Sequence, residues 1–359
     1  MSVAPSQHVR DAGRVPDRMR VGTMAAARRI EFVTVPTPEP ASGDVLVRIR
    51  AVAICTWEQR TYSGQQANTF PFIGGHEIAG EIAAIGPNCA AGLEIGDLVA
   101  VGSASCGRCH WCMTGQDRAC ARHYAGAPRY GDAWGPGGFA DFKTHPADGV
   151  YKLGDAPIEV ASLTEPLSCA VHAARILNPY VSEDVVVLGA GVMGLMNVVA
   201  LKNRGARVIV SELDAGRLAK AREMGADELI DASKEDPVAR VKELTEGRGT
   251  EAVICAFGGE KANEQALAML SEKGRMVLFA GAYPEAPLTL APNNMHDHER
   301  QVIGVVSGDK QDFYVASRLV RYQQVDLSPL IQATYPLDQL AEALEASLKP
   351  GSYRIVVEP

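Results

Sequence analysis

Short apolar runs separated by glycine and proline fill the chain up to about residue 166. The runs cover residues 45–49, 78–85, 98–101 and 139–142, and turn residues such as Gly43 and Gly96 precede two of them. Apolar stretches of this length bounded by turn residues are typical of strands. The pattern therefore predicts an antiparallel, barrel-like first domain.

From Val185 onward the pattern changes, and apolar strands alternate with helical stretches. This alternation is typical of β-α-β units and predicts a doubly wound parallel sheet. The predicted strands cover residues 185–188, 208–210, 252–255, 276–279 and 302–305, and the predicted helices cover residues 217–224 and 263–270.

The end of the chain, after about Asp312, is again mixed in pattern. A helical segment precedes the apolar run at residues 327–331, and a final strand is predicted at residues 353–357. Between them lies a predicted helix with apolar positions at Leu337, Leu340, Ala341 and Leu344. The pattern alone does not indicate which domain this tail joins.

Length and charge limit the classes of protein to consider. A chain of 359 residues has room for two domains. Its net charge of −8 argues against nucleic acid or an anionic membrane as the principal partner. No apolar run approaches the roughly 18 residues of a membrane span. Residues 1–18 carry arginines but no apolar signal region, so we expect a disordered extension there.

Four cysteines lie close together, with two, two and seven residues between them: Cys106, Cys109, Cys112 and Cys120. Such spacings let a tight loop place four thiolates around one tetrahedral zinc ion, with Zn–S distances of about 2.3 Å. The alternative is a redox or disulfide cluster, but nothing else in the chain is typical of a secreted protein. The sequence therefore predicts a closed, structural zinc site in a cytoplasmic protein.

A glycine-rich segment, Gly189-Ala190-Gly191-Val192-Met193-Gly194, directly follows the strand predicted at residues 185–188. In a β-α-β unit Gly189 permits the tight turn, Gly191 lets the backbone approach a pyrophosphate, and Gly194 allows close packing of helix on strand. The following helix N-terminus, with Val192 and Met193, offers N–H donors. Glu212 lies 18 residues beyond Gly194, where an acid accepts hydrogen bonds from the adenosine ribose and repels a 2′-phosphate. The sequence therefore predicts NAD rather than NADP.

Taken in order, Cys55, Gly75-His76-Glu77, the four-cysteine cluster and the glycine-rich segment make the chain resemble the zinc-containing medium-chain dehydrogenases. The resemblance is strongest to the polyol (sorbitol) and threonine dehydrogenase branch and runs over nearly all residues after about position 19. It implies a GroES-like antiparallel barrel as the catalytic domain at residues 19–170 and a Rossmann domain at residues 171–311. The tail, residues 312–359, would return to the catalytic domain. The resemblance further implies a homodimer or homotetramer with two zinc ions per chain, one catalytic and one structural.

The resemblance also implies the ligands of the catalytic zinc, which has three protein ligands and one open position. Cys55 and His76 match the first two ligands. In the polyol branch the third is a glutamate in a Glu-Pro-Leu context, which is Glu165 here, acting directly or through a water molecule. In the alcohol dehydrogenase branch the third ligand is a cysteine, and Cys169 is the alternative, although packing is the simpler role for it. Glu77 is the acid that the family keeps against the metal, as an alternate ligand or as a neighbour of the ligands.

One position departs from the family pattern. Relatives begin a proton relay with Ser or Thr two residues after the cysteine ligand, where this chain has Trp57. Because an indole donates but cannot accept a proton, Thr56 and Glu165 are the two candidates to carry it. Trp57 itself either walls the pocket against a ring or sugar substrate or packs in the core. Arg60 stands five residues after Cys55, where several relatives carry His.

A further arginine concerns the cofactor. Arg217, five residues after Glu212, stands where the family places an arginine beside the adenine. The alternative is an arginine on a solvated helix surface. Use of NADP would require its guanidinium to turn to a phosphate.

These observations lead to one principal hypothesis for the function. We expect a zinc- and NAD-dependent dehydrogenase that transfers a hydride between NAD and a secondary alcohol or ketone, such as a polyol, sugar or cyclitol. The alternative within the same class is a threonine or amino-alcohol dehydrogenase. The alternative from another class is a zinc-free, quinone-reductase-like enzyme or a non-catalytic binding protein. We expect a small-molecule partner, with neither nucleic acid nor membrane involved.

Overall fold

The computed structural model describes residues 14–89, 92–121 and 129–359, and in this part of the chain the two domains are built on separate sheets. Residues 1–13 of the predicted extension lie outside the described residues. Val15 packs against the core of the first domain, and Arg18 begins its first strand. The expectation of disorder as far as residue 18 is therefore wrong for residues 15–18, because an apolar side chain and a strand fix them.

The first domain consists mainly of strands, with short helices between them and two helices at its end. Its elements, in chain order, are β1 (Arg18–Ala26), β2 (Arg29–Pro36), β3 (Asp44–Ala53), α1 (Thr56–Ser63), β4 (Glu77–Ile85), β5 (Leu98–Val101), α2 (His110–Met113), β6 (Arg129–Tyr130), β7 (Ala133–Trp134), β8 (Phe142–Pro146), β9 (Val150–Lys152), α3 (Ile158–Ser162) and α4 (Thr164–Leu177).

Three of the four strands predicted here are confirmed as β3, β4 and β5. The strand predicted at residues 139–142 is wrong, since β8 begins only at Phe142. Phe139 and Ala140 are fully buried, but their backbone contacts Gly74 and Val21 instead of joining a sheet ladder. Burial alone therefore made this segment look like a strand.

The second domain alternates strands and helices. Its elements are β10 (Asp184–Leu188), α5 (Val192–Lys202), β11 (Arg207–Glu212), α6 (Ala215–Glu223), β12 (Glu228–Asp231), α7 (Pro237–Leu244), β13 (Thr250–Cys255), α8 (Glu260–Met269), β14 (Leu270–Leu278), α9 (Pro292–Asp297) and β15 (Gln301–Gly304). The six strands run parallel in the order β12-β11-β10-β13-β14-β15, which confirms the doubly wound sheet.

Strand β10 shows why its sequence is almost wholly apolar. Val185 and Val187 belong to one buried cluster, whereas Val186 and Leu188 belong to another. Successive side chains of a strand point to opposite faces, so both faces of this sheet are covered. None of the described helices is long and apolar enough to cross a membrane.

The tail comprises α10 (Lys310–Arg321), β16 (Ile331–Pro336), α11 (Leu340–Ser347) and β17 (Arg354–Glu358). Strand β17 pairs with β3, completing a sheet in the order β16-β17-β3-β4-β5-β9, with β8 also paired to β3. The Ile54 N–H donates to the Ile355 carbonyl at 2.9 Å. The end of the chain therefore lies beside the residues that precede Cys55.

Candidate active site

Three potential metal ligands meet where β3 ends and β4 begins. Cys55 directly precedes α1, His76 directly precedes β4, and Glu77 is the first residue of β4. One ligand atom from each lies within 4.8 Å of the other two. Burial raises the pKa of the Cys55 thiol, but the hydrogen bond and charge of His76 outweigh burial and lower it. The thiolate form that zinc binds is therefore favoured.

Glu58 holds the His76 ring in place. It is fully buried on α1, and its Oε1 lies 2.8 Å from His76 Nδ1 and accepts from the Gly75 N–H at 2.9 Å. Burial lowers the pKa of His76, but the Glu58 carboxylate and the Cys55 thiol raise it above its ordinary value on balance. With Nδ1–H donating to Glu58, Nε2 is left as the ligand atom.

Arg354 of β17 connects the ligand set to both domains. Its Nη2 donates to Glu77 Oε1 at 2.6 Å, and its Nη1 donates to the Ile54 carbonyl at 3.0 Å. The same Nη2 lies 3.6 Å from the Met193 sulfur in the first turn of α5. Glu77 is fully buried, and among the described residues its Oε2 has no hydrogen-bond partner. That oxygen is free to accept a hydrogen bond or to bind a cation.

Glu165, in the first turn of α4, lies at the edge of this set. Its Oε2 is 3.9 Å from His76 Nε2, and its Oε1 accepts a weak bond from Cys169 at 3.7 Å. Burial, together with the nearby Glu165 carboxylate, raises the pKa of Cys169 well above its ordinary value. Cys169 thus contacts the acid one turn earlier on α4 and lies outside the group formed by Cys55, His76 and Glu77.

The two side chains after Cys55 differ in their surroundings. Thr56 is exposed at the start of α1. The Trp57 ring lies 5.5 Å from the His76 ring and 5.4 Å from the Phe72 ring, centre to centre. Since Trp57 is partly exposed and also packs against the core, it forms an aromatic wall beside His76.

The four-cysteine cluster forms a second, separate group of ligands. The sulfur of Cys112 lies 3.5 Å from that of Cys109 and 3.9 Å from that of Cys106, and none of the four cysteines is in a disulfide. Four ligands at about 2.3 Å from a tetrahedral zinc would be about 3.8 Å apart, whereas bonded sulfurs are about 2.05 Å apart. Backbone N–H groups of Arg108 and Cys109 lower the pKa of Cys106 to about 6. The cluster therefore fits zinc.

Two carboxylates attach this cysteine loop to the second half of the molecule. Asp117 accepts from the Lys310 N–H at 3.1 Å, and Asp309 accepts from the Arg118 N–H at 3.1 Å. Lys310 begins α10. The loop is thus anchored on the N-terminal end of α10 beside Cys120.

A third group of potential ligands, His172, Asp309 and Asp312, is already bound by Arg175. Arg175 Nε donates to Asp312 at 2.6 Å, and Nη2 donates to Asp309 at 2.9 Å. His172 Nδ1 lies 2.8 Å from Asp312. This group is an ion-pair network between α4 and α10 rather than a metal site.

The glycine-rich segment forms the turn between β10 and α5. Gly189 has φ +95°, which favours glycine, and a Cβ on Gly194 would lie 2.0 Å from the Gly189 carbonyl oxygen. A Cβ on Gly191 would meet no atom within 4 Å, so the side from which a cofactor would approach is open. Val192 and Met193 begin α5. The turn fits a dinucleotide phosphate.

Glu212 ends β11 and faces this turn. Its Oε2 accepts from the Ala190 N–H at 2.8 Å, and its Oε1 accepts from the Leu213 N–H at 2.7 Å. Arg217 Nη1 lies 4.0 Å from Glu212 Oε2. The guanidinium therefore faces the carboxylate and not open solvent.

Two residues of the site were not predicted from the sequence. Glu58 follows Cys55 by three residues, a spacing that brings side chains together on a helix, so its position was a usable signal. Arg354 had no local signal, since only the return of β17 to β3 brings it to Glu77.

Comparison with known proteins places both halves of the chain in described families. Residues 41–155 match the alcohol dehydrogenase GroES-like domain, and residues 192–321 match the zinc-binding dehydrogenase domain. These ranges contain Cys55, His76, the cysteine cluster and Glu212, although Glu165 and Arg354 lie outside them.

Relatives match along almost the whole chain. An L-threonine 3-dehydrogenase from Pyrococcus horikoshii is 34% identical over 325 residues, covering 88% of this chain and 91% of its own. A sorbitol dehydrogenase from Bacillus subtilis is 30% identical over 359 residues, covering 96% and 98%. A zinc-binding dehydrogenase from Sinorhizobium meliloti, solved with NADP bound, has a TM-score of 0.85 at 23% identity, covering 96% of this chain and 100% of its own.

Proposed function

Because this chain belongs to the zinc-containing medium-chain alcohol dehydrogenases, in their polyol and threonine branch, we propose that it oxidises a polyol, sugar or cyclitol with NAD and binds two zinc ions. The chain is an oxidoreductase that uses zinc and a nicotinamide cofactor. The single observation that carries the proposal is the close approach of Cys55, His76 and Glu77 beside the turn that holds Met193. The zinc-free alternative does not account for that set.

Each bound group has a defined task in this reaction. A zinc ion held by Cys55 and His76 would supply a Lewis acid for the alcohol oxygen, and nicotinamide would supply the hydride acceptor. Glu58 holds a proton of His76 on Nδ1, so Nε2 is the nitrogen that would give up its proton to bind zinc. Arg354 balances the charge of Glu77 and fixes it against the backbone before Cys55. The alcohol loses a hydride and a proton and becomes a ketone.

We propose that the Glu165 carboxylate accepts the substrate proton, with Oε2 as the accepting atom. Glu165 is partly exposed and close to His76 Nε2, whereas Thr56 points to solvent and Trp57 cannot accept a proton. A cavity of about 10 Å³, the size of one water molecule, adjoins Glu165 and is lined by Ser103, Ser168 and Ser307. A water there would receive the proton from Glu165 and pass it outward.

We propose NAD as the cofactor because Glu212 occupies the end of β11, where its Oε2 accepts from the Ala190 N–H of the cofactor turn and its Oε1 accepts from the Leu213 N–H. A 2′-phosphate at this point would meet a negative charge. Arg217 faces that same carboxylate, which lowers its ability to hold a phosphate. Replacement of Glu212 by Ala is expected to reduce the preference for NAD over NADP by about 5- to 150-fold, the range of about 1–3 kcal/mol.

We also propose a homodimer or homotetramer in the cytoplasm, with a small alcohol or ketone as the only other partner. Strand β15 is the edge of the parallel sheet, and Val306 just beyond it is 60% exposed. An edge strand that is paired on one side only favours pairing with another copy. Light scattering on the purified, zinc-loaded protein tests this, since a monomer would contradict it.

The proposed reaction is tested by NAD reduction over polyols, sugars, cyclitols and amino alcohols, with the zinc-loaded protein. We expect turnover of at least one polyol, sugar or cyclitol, and NADP in place of NAD should give much less. Glu165→Gln should lose most of the turnover while Thr56→Val and Trp57→Phe retain it, at equal zinc content. Full activity in Glu165→Gln would contradict the proposal that Glu165 accepts the proton. If Thr56→Val loses turnover and Glu165→Gln retains it, Thr56 is the group that carries the proton.

A further inference from the structure

Arg60 of α1 is an arginine at a contact between the two domains, and among the described residues it has no carboxylate partner. Its guanidinium carbon lies 4.4 Å from the centre of the Tyr283 ring, which belongs to the second domain. Its Nε is buried and, among the described residues, has no hydrogen-bond partner. No ion pair of Arg60 is present in the part of the chain that the structure describes. The cation therefore lies over an aromatic ring, and its Nε–H has no acceptor among the residues that the structure describes.

Other arginines at comparable positions are paired. Arg175 binds Asp309 and Asp312, Arg275 pairs with Glu183, and Arg354 pairs with Glu77. A buried Nε without a partner also occurs in Arg275 and Arg354, so what distinguishes Arg60 is that it has no carboxylate partner among the described residues. A guanidinium without such a partner keeps its hydrogen-bonding capacity for a ligand. Stacking on Tyr283 orients the guanidinium plane and leaves its edge to bind a planar or tetrahedral anion.

The position of Arg60 relates it to the reacting groups. Trp57, whose ring lies beside His76, is one helical turn earlier on α1. Arg60 is five residues after Cys55, a rise of about 7.5 Å along a helix axis. Tyr283 follows the carboxyl end of β14, and ligands of open parallel sheets bind outside those ends. Arg60 thus lies on the same side of α1 as Trp57, at a contact between the first domain and the second.

We propose that Arg60 determines substrate specificity by binding an anionic group, a carboxylate or a phosphate, several bonds from the hydroxyl that is oxidised. This proposal rests on the proposed function and narrows its substrate class to sugar acids or phosphorylated polyols. The pyrophosphate of the cofactor is also an anion and is the other candidate ligand of Arg60. The substrate is favoured because the turn at Gly189 and the N-terminus of α5 are already placed for the cofactor phosphates.

The test compares neutral and charged probes on the zinc-loaded protein. D-sorbitol, D-gluconate and D-sorbitol 6-phosphate are oxidised with NAD by wild type, Arg60→Gln, Arg60→Lys and the control Arg50→Gln, which removes an exposed arginine paired with Glu81. The readout is the ratio of kcat/KM for a charged probe to that for D-sorbitol. Calorimetry of D-sorbitol 6-phosphate with NADH-loaded protein and NADH fluorescence titration measure binding without turnover.

We expect at least one charged probe to exceed D-sorbitol in kcat/KM by about tenfold or more. Arg60→Gln should lower that ratio by about 10- to 100-fold, in line with a charged hydrogen bond, Arg60→Lys should restore part of it, and Arg50→Gln should leave it unchanged. An unchanged ratio in Arg60→Gln would overturn the proposal. Weaker NADH binding in Arg60→Gln, with the ratio unchanged, would assign the anion to the cofactor and also overturn it.

Failure of the proposed function has a different signature. If no alcohol is oxidised but calorimetric binding of D-sorbitol 6-phosphate is lost in Arg60→Gln, the anion site stands and the dehydrogenase activity does not. If D-sorbitol is oxidised and the charged probes bind no better than D-sorbitol, the activity stands and the anion site does not.

Discussion

The two groups of metal ligands are built in opposite ways. The cysteine cluster draws all its ligands from residues 106–120, most of them partly exposed, with one short helix between them. The site around Cys55 and His76 joins α1, β4, α4 and β17, and Arg354 reaches the residue before Cys55 across 300 positions of the chain. The ligands of the first group come from one loop, whereas those of the second are held by elements that are distant in the chain.

This difference predicts separate consequences for losing each metal. In the cysteine loop the metal replaces the apolar core that the loop lacks, so removing it should cost stability. Around His76 the buried contacts of Glu58, Glu77 and Arg354 persist without a metal, so removing it should cost chemistry. Four substitutions test the contrast.

The largest effect is expected for His76→Ala. This change removes a ligand that no neighbouring residue replaces, and turnover should fall by at least about 10³-fold. The fold should survive, because Glu58 and the core around it remain. Steady-state kinetics together with circular dichroism check both parts. An inactive His76→Ala variant that is also unfolded would contradict the claim that this site serves chemistry and not stability.

The next effect is expected for Cys109→Ser. An incomplete thiolate set should release the structural zinc and lower the free energy of unfolding by about 3 kcal/mol or more, or Tm by about 6–12 °C. Calorimetric melting measures the loss. Folded protein that remains should keep most of its kcat, and a large loss of kcat with an unchanged Tm would reverse the assigned roles.

Asp312 belongs to the ion-pair network between α4 and α10, and the cysteine loop is anchored on the N-terminal end of α10. Burial would raise the pKa of Asp312, but hydrogen bonds from Arg175 and His172 lower it to about 2. Since the folded pKa lies below an unfolded value of about 3.9, the carboxylate stabilises the fold above pH 4, and this stabilisation is lost as pH falls towards 2. Asp312→Asn should cost about 2–3 kcal/mol at pH 7.

Urea unfolding of wild type and Asp312→Asn at pH 7 and pH 3 measures this effect. The difference in free energy of unfolding between the two proteins should be smaller at pH 3 than at pH 7. A gap of equal size at both pH values would show that the ion pairs with Arg175 do not provide the stability.

The smallest of these effects is expected for Glu58→Gln. An amide is a weaker acceptor for the His76 Nδ1–H, so zinc affinity at this site or kcat should fall by about 10- to 100-fold. Zinc titration against a chelator separates the two quantities. The cysteine cluster should keep its zinc, and loss of both zinc ions together would contradict the independence of the two sites.

Local patterns predicted the parts of the molecule that are built locally. The cysteine spacing, the Gly189 turn and the strand at residues 185–188 depend on short segments, and each lies where expected. Strand β2 was missed because Phe32 and Val33 are largely exposed, so it lacks a buried face.

The rest of the candidate site depends on tertiary structure. Arg354 is an ordinary strand residue until β17 pairs with β3, and the partner of Arg60 comes from the other domain. Glu58 lies between these two cases. Its helical spacing from Cys55 indicates that it is close to Cys55, but not that it is buried against His76. Sequence alone therefore predicts ligands better than the residues that hold them.

The most direct test of the two-site account is the zinc content of purified protein, measured beside its activity in wild type, His76→Ala and Cys109→Ser. The account predicts two zinc ions per chain in fully active wild type. It predicts one in His76→Ala, which stays folded and inactive, and one in the active fraction of Cys109→Ser. Fully active wild type with fewer than two zinc ions per chain would contradict it.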